Sequence, residues 1–367
     1  MQFVKAENLK LGMRLARPIY NKKGVLLFDR NSQLSNQAID SVRNFGLLGV
    51  YVLEPAEPLP PMRSEDLEFE RFQTMTVSSI EEELNRIQNT KSQSRMQIIA
   101  GSIIKKYGHL DGKINFYQNL RSRDDYVCRH SLNVAILCAM ITHVMNVRLE
   151  EQMQTVCAAI VHDIGKLSYP AESVYGDTED EKELLELYNA QMRASDLIEG
   201  AFASDGVSIR RICVQALKAQ TEMLTNEGRG VGNMKMVTGA KILLVANRYD
   251  EITGMNLRGT AQSEVKAIQE FLDNPQIYDP EVVSALIRSI NVLFPGVSVE
   301  LNTGEKALVL VENPINILKP VVLSFRDNSI LDLSLPSYED IHISDIMKTM
   351  DNRYIMDTAT LHRIGYE

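Results

Sequence analysis

One short stretch constrains this chain more than any other: Val161-His162-Asp163-Ile164-Gly165-Lys166, which follows the apolar run Cys157-Ala158-Ala159-Ile160. An imidazole and a carboxylate side by side at the end of an apolar helix put two metal-type ligands in one small space, and a glycine and a lysine just beyond add a cation. For such a pair to bind an ion, other helices must bring further ligands to the same point. The pair also has a plainer reading. His162 and Asp163 then hydrogen-bond each other and Lys166 as a satisfied polar cluster in a helical core, and Lys166 serves equally as a cap on the preceding helix's carbonyls.

The surrounding sequence favours a folded, intracellular setting. At 367 residues, 44% hydrophobic and 24% charged, the chain is long enough for two or three compact units. No apolar run approaches the ~18 residues that span a bilayer, so no membrane span is expected. Met1 to Glu7 lacks the apolar core of a signal peptide, and the expected location is the cytoplasm. The four cysteines, Cys128, Cys138, Cys157 and Cys213, show no CxxC spacing and read as buried free thiols. A formal net charge of −9 argues against a broad nucleic-acid surface but leaves room for a small phosphorylated ligand held by local cations.

Along the chain, residues 1–55 read as a small α+β module. Short β-like pieces lie at 13–16, 18–20 and 25–28, a helix capped by Ser35 follows, and 49–53 forms a strand. Pro55, Pro58, Pro60 and Pro61 mark a linker. Within 56–110, Leu67, Phe69, Phe72, Met75, Ile80, Leu84 and Ile87 recur at helical spacing. They predict a long amphipathic helix or a helix pair, either packed on its own domain or forming the seam of a homodimer. Residues 111–293 are helical in pattern, and the acidic run 177–183 opens one of these helices. After Phe294-Pro295-Gly296 the period becomes two: 297–301 and 307–311 predict a hairpin, and 321–325 and 330–333 continue a β-rich segment over 294–340. The tail, 341–367, is expected to add a helix. The fold class is therefore mainly α, with small β-containing flanks.

Three separated motifs occur in order: His130-Ser131-Leu132-Asn133-Val134-Ala135, His162-Asp163-Ile164-Gly165-Lys166 and Val245-Ala246-Asn247-Arg248-Tyr249-Asp250. Together they resemble the HD phosphohydrolase superfamily, and within it the HD-GYP branch of bacterial cyclic di-GMP phosphodiesterases. The resemblance implies an HD-type helical bundle between the flanking modules. It also implies a divalent metal, iron, manganese or zinc, held by His130, His162, Asp163 and a later aspartate, since imidazoles and carboxylates suit these ions. The bound metal would activate a water for attack on phosphorus. Lys166 becomes the phosphate-side cation and, with Asp163, a candidate catalytic residue. Arg258 falls where the family has an arginine-rich segment that meets its ligand's phosphates, Arg229 and Lys235 lie in the altered signature loop as further candidate phosphate contacts, and arginine suits phosphate through its planar fork; exposed loop cations are the competing reading.

The sequence departs from that pattern at several places. Asn247 stands at the position of the later aspartate, and an amide is a weaker ligand than a carboxylate. Asp250, three residues on, reaches the site only through a local shift. Of six histidines, at 109, 130, 143, 162, 342 and 362, none lies between 162 and 342, where the branch supplies further imidazoles. Gln191 stands near the first of those places, Gln220-Thr221 near the second, and Gly230-Val231-Gly232 replaces the glycine-tyrosine-proline signature. The expectation is a catalytically impaired signalling module responsive to a cyclic dinucleotide or a signalling protein. The alternatives are a working single-metal phosphohydrolase and a dimeric scaffold.

Overall fold

The structure, a computed structural model, describes residues 2–21, 23–53, 64–170, 174, 180–225, 235–255 and 261–347. The proline linker, Arg229, the 230–232 signature segment, Arg258 and the tail beyond 347 lie outside the described residues.

The first 53 residues form the expected α+β module. Strands β1 (Gln2–Lys5), β2 (Arg14–Leu15) and β5 (Gly49–Leu53) make an antiparallel sheet in the order β1-β5-β2, and β3 (Ile19–Tyr20) pairs with β4 (Leu26–Phe28). Helix α1 (Asn36–Asn44) starts at Ser35, whose hydroxyl accepts from the Ala38 amide at 3.2 Å. Gly49 is required by the β1 pairing, because a Cβ there would lie 2.2 Å from the Val4 carbonyl oxygen. Leu15, Ile19, Leu34, Val42, Val50 and Val52 give the module a core of its own.

The 64–107 region is a helix pair, α2 (Ser64–Thr90) and α3 (Met96–Tyr107). The buried Glu83 carboxylate makes the turn between them, accepting from the Ser94 and Arg95 amides at 2.8 and 3.0 Å. The α2 positions Phe69, Val77, Ile80, Leu84 and Ile87 are buried in the main core of the same chain. Those five positions are used within the core of the chain, whereas Met75 of the same stripe is exposed.

Helix α4 (Tyr126–Val144) is the axis of the bundle: every residue from Tyr126 to Thr142 is buried. By length and apolarity it could cross a membrane, against the expectation of no such run, but 89% of its most apolar window is buried inside the protein. A helix apolar on all sides is a core helix when neighbours cover it. Its neighbours are α2, α3, α5 (Leu149–Val161), α8 (Thr238–Thr253) and α10 (Pro280–Ser289). Helices α6 (Glu181–Ala201) and α7 (Gly206–Thr225) pack on each other and, through α7, against α5 and α8. Helix α6 is capped by Asp180, inside the acidic run. Helix α9 (Glu264–Asp273) completes the ten helices of the described residues.

A five-stranded antiparallel sheet follows in the order β10-β6-β7-β8-β9, built from β6 (Ser298–Leu301), β7 (Lys306–Val311), β8 (Val321–Ser324), β9 (Ile330–Asp332) and β10 (Ile343–Ile346). The expected helix after 341 is corrected at 343–346, where β10 pairs with β6. Val299, Leu301, Ala307, Val309, Val322 and Ile343 join the main helical core, so the sheet continues that core. All four cysteines are buried and free, as expected. Burial pushes the Cys157 thiol up to about 12.

Candidate metal centre

The two histidines of the sequence motifs meet because α4 and α5 pack side by side, with His130 early in α4 and His162 at the C-terminal cap of α5. Their rings tilt toward each other with centroids 5.3 Å apart. Asp163 opens the short 3-10 turn Ile164–Ser168. Ligand atoms of His130, His162 and Asp163 all lie within 4.8 Å of one another. Asn247 comes from α8, and its Oδ1 lies 2.8 Å from His130 Nε2 and 3.1 Å from His162 Nε2.

The outer hydrogen bonds fix what the imidazoles present. His130 Nδ1 donates to Asp250 Oδ2 at 2.6 Å, and His162 Nδ1 donates to the Ala159 carbonyl at 2.7 Å. Both partners only accept, so both Nδ1 atoms carry hydrogens. The two Nε2 atoms then converge on the Asn247 carbonyl oxygen. The Asp163 carboxylate joins them, with Oδ2 3.5 Å from His130 Nε2 and Oδ1 3.6 Å from His162 Nε2. Imidazole nitrogens, a carboxylate and an amide oxygen gathered this way are the atoms a divalent cation takes as ligands. Ligands roughly 2.1 Å from one ion stand about 3.0 Å apart at an octahedral edge and about 3.4 Å at a tetrahedral one. The separations of 2.8, 3.1, 3.5 and 3.6 Å bracket those values, so His130, His162, Asp163 and Asn247 fit a single divalent metal.

Asp250 is placed differently from the sequence expectation. It needs no shift, because residues three apart share a helix face; it lies behind His130, on the ring nitrogen facing away from the acceptor cluster. Arg121 Nη2 donates to Asp250 Oδ2 at 2.5 Å and Asn133 Nδ2 to Oδ1 at 2.8 Å. Burial would raise the Asp250 carboxyl, but the Arg121 guanidinium and the His130 and Asn133 hydrogen bonds outweigh it and hold it at about 2. Gln118, Asn119 and Gln73 complete the network. Gln118 Oε1 accepts from Asn133 at 2.7 Å, and Asn133 Oδ1 accepts from Asn119 and Gln73 at 2.9 Å each. The N-terminal module buttresses the segment: the Leu48 amide donates to the Arg121 carbonyl at 2.9 Å, and Arg17 donates to the Gln118 carbonyl at 2.7 Å.

Sequence reasoning missed Arg121, Gln118, Asn119, Gln73 and Glu251. Asn133 had a signal, since it stands three residues after His130 on the same face of α4. Glu251 likewise follows Asn247 by four on α8.

The third side of the site carries Lys166, Gln191 and Gln220. Lys166 Nζ pairs with Asp163 Oδ2 at 2.9 Å. Burial alone would lower the Lys166 pKa, but Asp163 and Glu251 raise it, so the ammonium stays charged. Burial, with the neighbouring Lys166 and His130, lowers the His162 pKa against the opposing pull of Asp163, which keeps the ring neutral. Gln191 Nε2 donates to Asp163 Oδ1 at 2.7 Å and to the His162 carbonyl at 3.0 Å. Gly165 permits this approach, for a Cβ there would stand 2.4 Å from Gln191 Oε1. Gln220 and Glu251 hold the Asn247 amide nitrogen, while the Thr221 hydroxyl donates to the Leu217 carbonyl of its own helix. Lys235 is exposed ahead of α8.

The HD-domain family model matches residues 127–251, a span holding all four donors. This region is an HD domain. The chain is also 24% identical, over 212 residues, to a cyclic di-GMP phosphodiesterase of Pseudomonas aeruginosa, covering 56% of this chain and 49% of the relative. The chain thus spans about half the length of the curated relative it matches. The chain is thus similar to HD-domain proteins over residues 127–251 and, more distantly, to a cyclic di-GMP phosphodiesterase. The HD domain takes in α4, α5, α6, α7 and most of α8; Arg121 and Gln118 precede it in sequence yet complete its polar core.

Proposed function

We propose that this chain is a catalytically impaired relative of the HD-GYP phosphodiesterases that responds to a cyclic dinucleotide through a reduced, single-metal centre. The observation carrying this reading is the identity of the side chains on α6 and α7 that face the site. Gln191 and Gln220, not histidines, bond to Asp163 and Asn247. An amide nitrogen that donates to a ligand's oxygen competes with a metal for that oxygen, so these positions hold the first site together and supply no second one.

Within that centre His130, His162, Asp163 and Asn247 would hold one divalent ion, which when bound would polarise a phosphoryl oxygen and lower the pKa of a water. The chain's own residues do the rest. Asp250, clamped by Arg121 and Asn133, keeps His130 in the Nδ1–H form with Nε2 facing inward. Lys166 keeps a positive charge beside Asp163, on the side where a phosphate would approach. Lys235, Arg229 and Arg258 are the further cations proposed for the ligand's phosphates.

A second reading, a working single-metal phosphohydrolase, is favoured by the convergence of four donors at metal-edge separations. Titrating the full chain with cyclic di-GMP, with and without Mn2+, and following linear product separates the two. Binding with little turnover is the expected outcome. Linearisation at about 1 per second or faster, an ordinary enzymatic rate, would overturn the impairment in favour of the second reading.

A further inference from the structure

The replacement of a carboxylate by an amide at position 247 is accompanied by a second acidic group one turn along α8. Asn247 is 4% exposed, so its amide must be satisfied within the protein. Its Nδ2 donates to Gln220 Oε1 at 3.1 Å and to Glu251 Oε1 at 3.3 Å. Gln220 Nε2 in turn donates to both Glu251 oxygens, at 2.8 and 3.0 Å. Arg248 Nη1 lies 3.6 Å from Glu251 Oε2 on the outer side. Two acceptors therefore hold the NH2 end, and the carbonyl end turns toward the two imidazole Nε2 atoms.

Without those acceptors the amide would relax the other way. Turned over, its NH2 group would donate to one or both imidazole nitrogens and close the site to a cation. An aspartate at 247 would fit this surrounding badly. Its outer oxygen would take the place of Nδ2, facing Glu251 Oε1 and Gln220 Oε1, two acceptors with no hydrogen between them. The environment thus suits an amide and is set against the carboxylate it replaces.

We propose that Glu251 and Gln220 are positioning residues that present the Asn247 carbonyl oxygen as the fourth donor of the metal centre. This inference rests on the single-metal reading above. It makes the site a built two-imidazole, one-carboxylate, one-amide centre, in which the negative charge absent from position 247 stands one turn away at Glu251.

Calorimetric titration of the full chain with Mn2+ tests it. Glu251→Ala should weaken Mn2+ binding by about tenfold or more, and Gln220→Ala should act in the same direction. Glu251→Gln keeps a carbonyl oxygen that accepts from Asn247 and should restore the affinity to near that of the parent. Asn247→Asp should bind Mn2+ about tenfold more tightly in the Glu251→Gln background than in the parent background, a non-additivity that two independent sites would not show. Glu251→Ala with parental Mn2+ affinity, or additive effects at 247 and 251, would overturn this inference and leave the single-metal reading standing. No Mn2+ binding by the parent or any variant would overturn both.

Discussion

The two sides of the His130 ring differ in kind. Behind Nδ1 every group has its counterpart: Asp250 meets Arg121, His130 and Asn133, and Asn133 meets Gln118, Asn119 and Gln73. In front of Nε2 the Asn247 oxygen and the Asp163 carboxylate face the two imidazole Nε2 atoms. The rear is a closed network of matched donors and acceptors, which the fold can hold rigid at any metal concentration. The front carries one ammonium, Lys166 Nζ 2.9 Å from Asp163 Oδ2, and otherwise gathers atoms of the kind that ligate a metal. The contrast means that the orientation of His130 is set from behind, independently of which side chains stand at positions 191, 220 and 247 in front.

The largest effect should come from breaking the rear. Arg121→Met leaves the Asp250 carboxylate buried without its guanidinium, and breaking such a pair costs about 3–5 kcal/mol, readable by urea denaturation. A loss below about 1 kcal/mol would mean that His130 and Asn133 alone satisfy the carboxylate, and the two sides would then be less different than drawn.

A smaller effect should follow from acid. The folded Asp250 carboxyl is held at about 2 against an ordinary 3.8, so its contribution is fully present above about pH 4 and lost as the pH falls through about 2. That difference is worth about 2 kcal/mol, and Asp250→Asn should remove this part of the acid sensitivity, as measured by unfolding at pH 5 and pH 2.5. Equal acid sensitivity in the parent and Asp250→Asn would place the linkage elsewhere.

The smallest concerns the front's periphery. Lys235→Ala should change stability by no more than about 0.5 kcal/mol, because the side chain is exposed. The same variant should weaken cyclic di-GMP binding. Unchanged affinity would remove Lys235 from the proposed phosphate contacts.

How much of this was legible in the sequence depended on whether periodicity carried it. His130 and Asn247 sit on helices whose apolar pattern is plain, and His162 and Asp163 stand just past the end of a third, so the sequence shows the elements that bring the four side chains near one another. Asp250 was read as displaced, although its three-residue spacing already put it on the face of Asn247. Its role turned on which ring nitrogen it met, a matter of packing between α4 and α8 that no pattern in α8 reveals. Arg121, Gln118 and Asn119 lie in an irregular segment with no period, so their convergence on Asn133 had no sequence signal. Strand β10 escaped because Ile343 and Ile346 do not alternate and a bulge between Ile343 and Asp345 breaks the register. Its pairing with β6, some forty residues earlier, is a tertiary choice.

Helix α4 carries a consequence for how the molecule comes into being. Its apolar surface is covered by α2 on one side of the sequence and by α10, ending at Ser289, on the other. A growing chain that has released Tyr126–Val144 but not yet Pro280–Ser289 displays a segment resembling a bilayer anchor and lacks its last partner. Native burial of this helix therefore waits on well over a hundred further residues of synthesis. During that interval the apolar surface of a helix that the finished protein buries over 89% of its most apolar window is only partly covered.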